Sequence, residues 1–143
     1  MHKNMIFLPA LVQILLTIVI FIWLGIAKSK AAKLGLVDQE KRALHPEAWP
    51  DFVLKISNNI NNQFETPVLF YALVLMLWAM DSVGIYALVF AWGFVITRII
   101  HAYIHTGSNI VPARRRVFTI GCVFLFLLTL LGLKQAIAAW LLV

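Results

Sequence analysis

Residues 5–27 read MIFLPALVQILLTIVIFIWLGIA and run straight into KSKAAK at residues 28–33. About 20 apolar residues in helical form cross the hydrocarbon of a bilayer. Here only Gln13 and Thr17 are strongly polar. A secretory leader would have a shorter apolar core and a small-residue cleavage site. Lysines 28, 30 and 33 follow instead, so the segment is expected to stay as a membrane span. Pro9 falls in its first turn, where a missing N–H costs little.

Three further windows have the same character: about residues 57–80, 83–105 and 117–142. Four apolar spans in 143 residues leave room for one domain, residues 1–143, and predict an all-α four-helix membrane bundle. Hydrophobic residues make up 62% and charged residues 13%, against about 45–50% and 25% in a soluble domain. A soluble fold this small has too much surface to hide that share. Disorder needs the opposite composition, and one cysteine excludes a disulfide scaffold. Barrel strands would show short alternating segments, which are missing. Cys122 lies in an apolar run and reads as a small buried hydrophobe.

The net charge of +6 is concentrated in two connections. Lys28, Lys30, Lys33, Lys41, Arg42 and Lys55 lie between spans one and two, and Arg114, Arg115 and Arg116 between three and four. The connection at Asp81–Ser82 has no basic residue, and the amino-terminal tail has only Lys3. This asymmetry predicts both basic connections in the cytoplasm, both termini on the far side, and contact with membrane lipid headgroups. No base-reading motif is present, so nucleic acid is not an expected partner. The first connection has room for a short helix near Asp38–Leu44, and Trp49 suits a headgroup-level anchor.

Polar residues inside the spans are the candidates for function. Asn58, Asn61, Asn62 and Glu65 share one helical face by steps of three and four, as do Arg98, His101 and His105. Glu65 lies sixteen residues before Asp81 and Arg98 sixteen after Ser82, so the two charges share a level. An ion pair or a shared polar pocket is the inexpensive arrangement there. Pro67 removes a backbone bond to the Gln63 carbonyl and is expected to bend the helix. Arg114–Arg116 would rim the resulting concavity. The plainer alternatives are a buried pair that fixes helix register, and an arginine run that only sets topology. His101 and His105 have metal-ligand spacing, but a catalytic zinc wants three protein ligands, so no metal is expected.

The stretch Asn61 to Tyr71 (NNQFETPVLFY), followed by Arg98 to Thr106 (RIIHAYIHT) and the basic run, resembles the MAPEG family, membrane-associated proteins in eicosanoid and glutathione metabolism. The variant E-x-PVLFY is similar to the bacterial branch, which implies a bacterial inner membrane. The resemblance implies a homotrimer of four-helix protomers with glutathione between them near the cytoplasmic face. It implies glutathione transfer to lipophilic electrophiles, or reduction of lipid hydroperoxides. It assigns Asn62, Glu65 and Arg98 to glutathione binding and one of Arg114, Arg115 or Arg116 to stabilising the thiolate; His101 joins the candidate binding residues by its face shared with Arg98. His105 stands where relatives have a tyrosine, and Asn58 where glutathione-using members have an arginine. The other reading is a non-catalytic membrane protein that uses the same pocket to bind an amphiphile or hold the trimer. A channel fits poorly, because the polar residues cluster at one end.

Overall fold

The computed structural model describes residues 2–141, which contain helices and turns and no strand. The first span forms α1 (Phe7–Lys33), after a 3-10 turn at Lys3–Ile6. At 27 residues it is about 40 Å long, enough to cross a bilayer. It stops where Gly35 turns left-handed (φ 67°). The N–H of Leu36 then donates to the Ala31 carbonyl and that of Gly35 to the Ala32 carbonyl, both at 3.1 Å. This capping pattern occupies carbonyls a helix end leaves free.

No helix forms at Asp38–Leu44. The Asp38 carboxylate accepts the N–H groups of Glu40 and Lys41 (3.1 and 3.2 Å), a local alternative to helix that Asp favours. Turns follow, then a 3-10 turn at Pro46–Ala48. The half-buried Trp49 donates its indole N–H to the Arg42 carbonyl at 3.3 Å.

The second window, expected as one span, is two helices, α2 (Asp51–Gln63) and α3 (Thr66–Ala79). Pro67 explains the break, since it offers no N–H to the carbonyl of Gln63. Glu65 sits in the gap at φ −93°, ψ −99°. With 14 residues, α3 is about 21 Å long, short of the roughly 30 Å hydrocarbon on its own.

A tight turn at Asp81 (φ 53°) leads into α4 (Ile85–Thr106). The amino terminus is tied to this hairpin. Lys3 Nζ lies 2.6 Å from Asp81 Oδ1 and 5.0 Å from the centre of the Trp78 ring, and Trp78 Nε1 donates to Asn4 Oδ1 at 2.9 Å. The last helix, α5 (Val111–Trp140), begins earlier than the span expected from residue 117. Arg114–Arg116 therefore sit on its opening turns, with Pro112 at its start. The expected end at Leu142 lies outside the described residues.

Among the described residues, α1 with its leading turn, α4 and α5 are long and apolar enough to cross a membrane. The outer surface is apolar, with Leu11, Leu15, Ile22, Leu75, Ile96 and Phe126 all exposed. A soluble protein rarely carries so continuous an apolar exterior; acyl chains accept it. Helices α4 and α5 form the most extensive pairing. Gly93 admits the Phe124 ring and Gly121 admits the Thr97 hydroxyl, each to within 2.8 Å of where a Cβ would stand.

Candidate functional site: a buried polar layer

The interior divides into two apolar clusters. One, toward the hairpin, includes Phe70, Val74, Phe94 and Val95; the other, toward the basic end, includes Ile20, Ile56, Ile60 and Ala102. Between them lie the buried side chains of Gln13, Gln63, Arg98 and His101, with Asn59 and His105 a helical turn nearer the basic end. Gln13 Nε2 donates to Gln63 Oε1 (2.8 Å), Gln63 Nε2 to Asn59 Oδ1 (3.1 Å), and Asn59 Nδ2 to His105 Nδ1 (3.2 Å). This ladder links α1, α2 and α4. Interhelical bonds of this kind fix rotation and register inside a bilayer.

The buried stripe of α2 differs from the expected one. Asn59 and Gln63 face inward, whereas Asn58, Asn61 and Glu65 are exposed and Asn62 is half-buried. The apolar residues explain the rotation. Val53, Ile56 and Ile60 on α2, and Pro67 and Phe70 on α3, share the phase of Asn59 and Gln63 and are buried. The apolar stripe sets the inward face, and the polar residues in phase with it go in.

The ion pair expected between Glu65 and Arg98 does not form. Glu65 lies exposed at the helix break, outside the three ion pairs found among the described residues. Arg98 Nη2 instead donates to the backbone carbonyl of Asn62 at 2.8 Å. Where α2 stops, its last carbonyls lose their helical donors and carry the negative end of the helix dipole. A guanidinium from the next rod fills that role. Arg98 is 1% exposed, yet its Nε and Nη1 have no partner among the described residues. The guanidinium lies 5.6 Å from the centre of the Phe118 ring. His101, 2% exposed, has an unpartnered Nδ1.

Phe118 and His101 also line a cavity of about 240 Å³ with Asn62, Val111, Arg114 and Arg115. No carboxylate among the described residues lines it. Arg114 is oriented by Asn109, whose Oδ1 accepts from Nη1 at 2.7 Å. Asn109 adopts φ 52° and donates its own N–H to the Ile104 carbonyl at 2.7 Å. The cavity thus has two arginines in its lining, and a third, Arg98, lies behind it against Phe118 and the Asn62 carbonyl.

Of the residues singled out from sequence, Asn62, His101, Arg114 and Arg115 meet around this cavity, with Arg98 against two of its walls. The Asn62 amide turns back to the Asn58 carbonyl at 2.9 Å. His105 belongs to the ladder. Asn58 lines a different cavity, formed with the first connection. Arg116 is exposed and lines neither cavity. Sequence reasoning passed over Asn109 and Phe118; it counted Asn59 and Gln63 among the polar residues of the second span but left them off the face it chose. The step of four from Arg114 to Phe118 and the apolar phase of α2 were the available signals.

The two arginines in its lining give this small cavity a positive potential that suits an anionic ligand. The sequence model of the MAPEG family matches residues 6–134, nearly the whole chain. No curated protein and no solved structure matches it. With its helices apolar enough to cross a bilayer and that match over almost its full length, this chain is a multi-pass membrane protein of the MAPEG family.

Proposed function

We propose that the protein is a glutathione transferase or peroxidase of the membrane, acting on lipophilic electrophiles or lipid hydroperoxides from a homotrimer. The observation that carries this reading is Arg98: a buried guanidinium with two unpartnered nitrogens beside an arginine-rimmed cavity. Buried polar groups are nearly always paired, and an idle ion at membrane depth marks a site by default. A carboxylate of glutathione supplies the missing partner. Arg114 or Arg115 then lies near the sulfur, where a cation lowers the thiol pKa and raises the thiolate fraction near neutral pH.

In the transferase step the thiol proton leaves to solvent and the sulfur attacks the electrophilic carbon. The leaving group departs with the bonding electron pair, so thiol and electrophile become thioether and acid. In the peroxidase step two thiols reduce one hydroperoxide to alcohol and water and leave as the disulfide. The carbonyl of Asn62 and the ring of Phe118 hold Arg98 in place for either reaction.

Exposed Glu65 supports the homotrimer. A carboxylate beside exposed Phe64, Val68 and Leu69 is costly in acyl chains, and a neighbouring copy would cover it. The orientation proposed with this reading puts the basic end in the cytoplasm, following the positive-inside rule.

Purified protein with glutathione and a lipophilic aryl halide tests the activity. Turnover is expected, together with a thiolate absorbance when glutathione is added near pH 7. Neither signal appearing in well-folded protein removes the enzyme reading.

The second reading, a non-catalytic amphiphile-binding protein, is favoured by the Gln13–Gln63–Asn59–His105 ladder, which joins three helices without a ligand. It expects Glu65→Gln to lower thermal stability and trimer yield together. Loss of activity with assembly intact contradicts it.

A further inference from the structure

A second cavity of about 240 Å³ lies where the end of α1, the first connection and α2 meet. Its polar walls are Lys28, Arg42, His45, Ser57, Asn58 and Asn61. None of its lining residues is acidic. Of the carboxylates in this part of the chain, Asp38 pairs with Lys41 (3.7 Å), and Glu47 pairs with His45 of the cavity wall (3.1 Å). Lys28 and Arg42 take part in no ion pair among the described residues.

The walls are held in place. Lys28 Nζ lies 4.9 Å from the centre of the Trp49 ring, and that ring is fixed by its bond to the Arg42 carbonyl. The N–H of Arg42 in turn donates to the Asp38 carbonyl at 3.0 Å. Tryptophan at the end of a span sits at headgroup level. Beside the cavity Leu44 projects with 85% of its surface exposed, which suits a side chain dipping among lipids.

We propose that this cavity seats the phosphate headgroup of an anionic phospholipid, with Lys28 and Arg42 as its cations and Ser57, Asn58 and Asn61 as neutral donors. The acyl chains stay in the bilayer beside Leu44. Basic pockets between spans at the membrane surface recognise phospholipid headgroups in this way. The site stands apart from the arginine cavity, so it survives or fails without reference to the thiol chemistry.

The test uses full-length protein in phosphatidylcholine nanodiscs with a minor share of phosphatidylglycerol, and mass spectrometry of the lipid retained after extraction. Wild type is expected to enrich phosphatidylglycerol, and K28Q/R42Q to lose on the order of tenfold in that preference. K30Q/K33Q, which removes the same charge from exposed positions of α1, is expected to keep most of it. If K28Q/R42Q does not fold, S57L/N61L fills the cavity with its charge intact and must produce the same loss. Unchanged enrichment in the cavity variants overturns the proposal. So does an equal loss in K30Q/K33Q, which means diffuse surface attraction. Inorganic phosphate raising Tm as much as a short-chain phosphatidylglycerol also overturns it, because the ligand is then soluble.

Discussion

Arg98 stabilises the break in the second rod through one hydrogen bond, yet two of its buried nitrogens have no partner among the described residues. Replacing such a group by an apolar residue of similar length is often neutral or stabilising, because the desolvated charge goes with it. Arg98→Met therefore should change unfolding stability by less than about 1 kcal/mol, the lost carbonyl bond and the relieved charge offsetting each other. Thermal unfolding in detergent reads this directly, and a fall of several kcal/mol makes Arg98 a structural residue. The ladder is the opposite case, with bonds that serve packing. A double-mutant cycle of Gln13→Leu and Gln63→Leu is expected to give a coupling of about 0.5–2 kcal/mol, the range for interhelical bonds in bilayers. Zero coupling contradicts the ladder. Counting from the Asp81–Ser82 turn placed Arg98 at the depth of the helix break. Pro67 marked the Gln63 carbonyl as free, but the partner is the Asn62 carbonyl, released by the ending of α2 one residue earlier.

Among the helices, the break between α2 and α3 and the tight seam between α4 and α5 hold the site in shape. Pro67→Ala restores the missing N–H. The helix is then expected to close across Phe64–Glu65, taking carbonyls back into the helical ladder and raising helicity by circular dichroism. Unchanged helicity places the cause of the break elsewhere. At the seam, a Cβ on Gly121 would lie 2.8 Å from Thr97 Oγ1, which already donates to the Phe94 carbonyl at 2.6 Å. Gly121→Ala is therefore expected to cost about 1–3 kcal/mol, as overpacking does. Thr97→Ala in the same chain should recover most of it; no recovery means the strain lies outside this contact. The proline effect was legible from sequence, and the rotation of α2 was legible in principle. Polar side chains at steps of three and four drew attention to Asn58, Asn62 and Glu65. The apolar residues at positions 53, 56, 60, 67 and 70 carry the stronger free-energy term and set the face.

In the whole molecule, one polar layer lies between two apolar clusters inside an apolar exterior. Composition alone made the membrane class legible, since no small soluble fold hides 62% hydrophobic residues. Glu65 and its exposed apolar neighbours were not legible as surface, because partnership between copies is a property of the assembly. Cross-linking in native-like membranes is expected to give a trimer ladder that Glu65→Lys weakens; a monomer alone contradicts the proposed assembly. The central claim is that the Arg98 guanidinium receives an anionic ligand at the arginine cavity. Calorimetric titration of glutathione into wild type and Arg98→Met, at matched thermal stability, tests it most directly. The expected result is binding by wild type and a loss of roughly ten- to a hundredfold in the variant, the scale of a charge-assisted hydrogen bond. Equal affinity in the two proteins, or no binding by either, contradicts it.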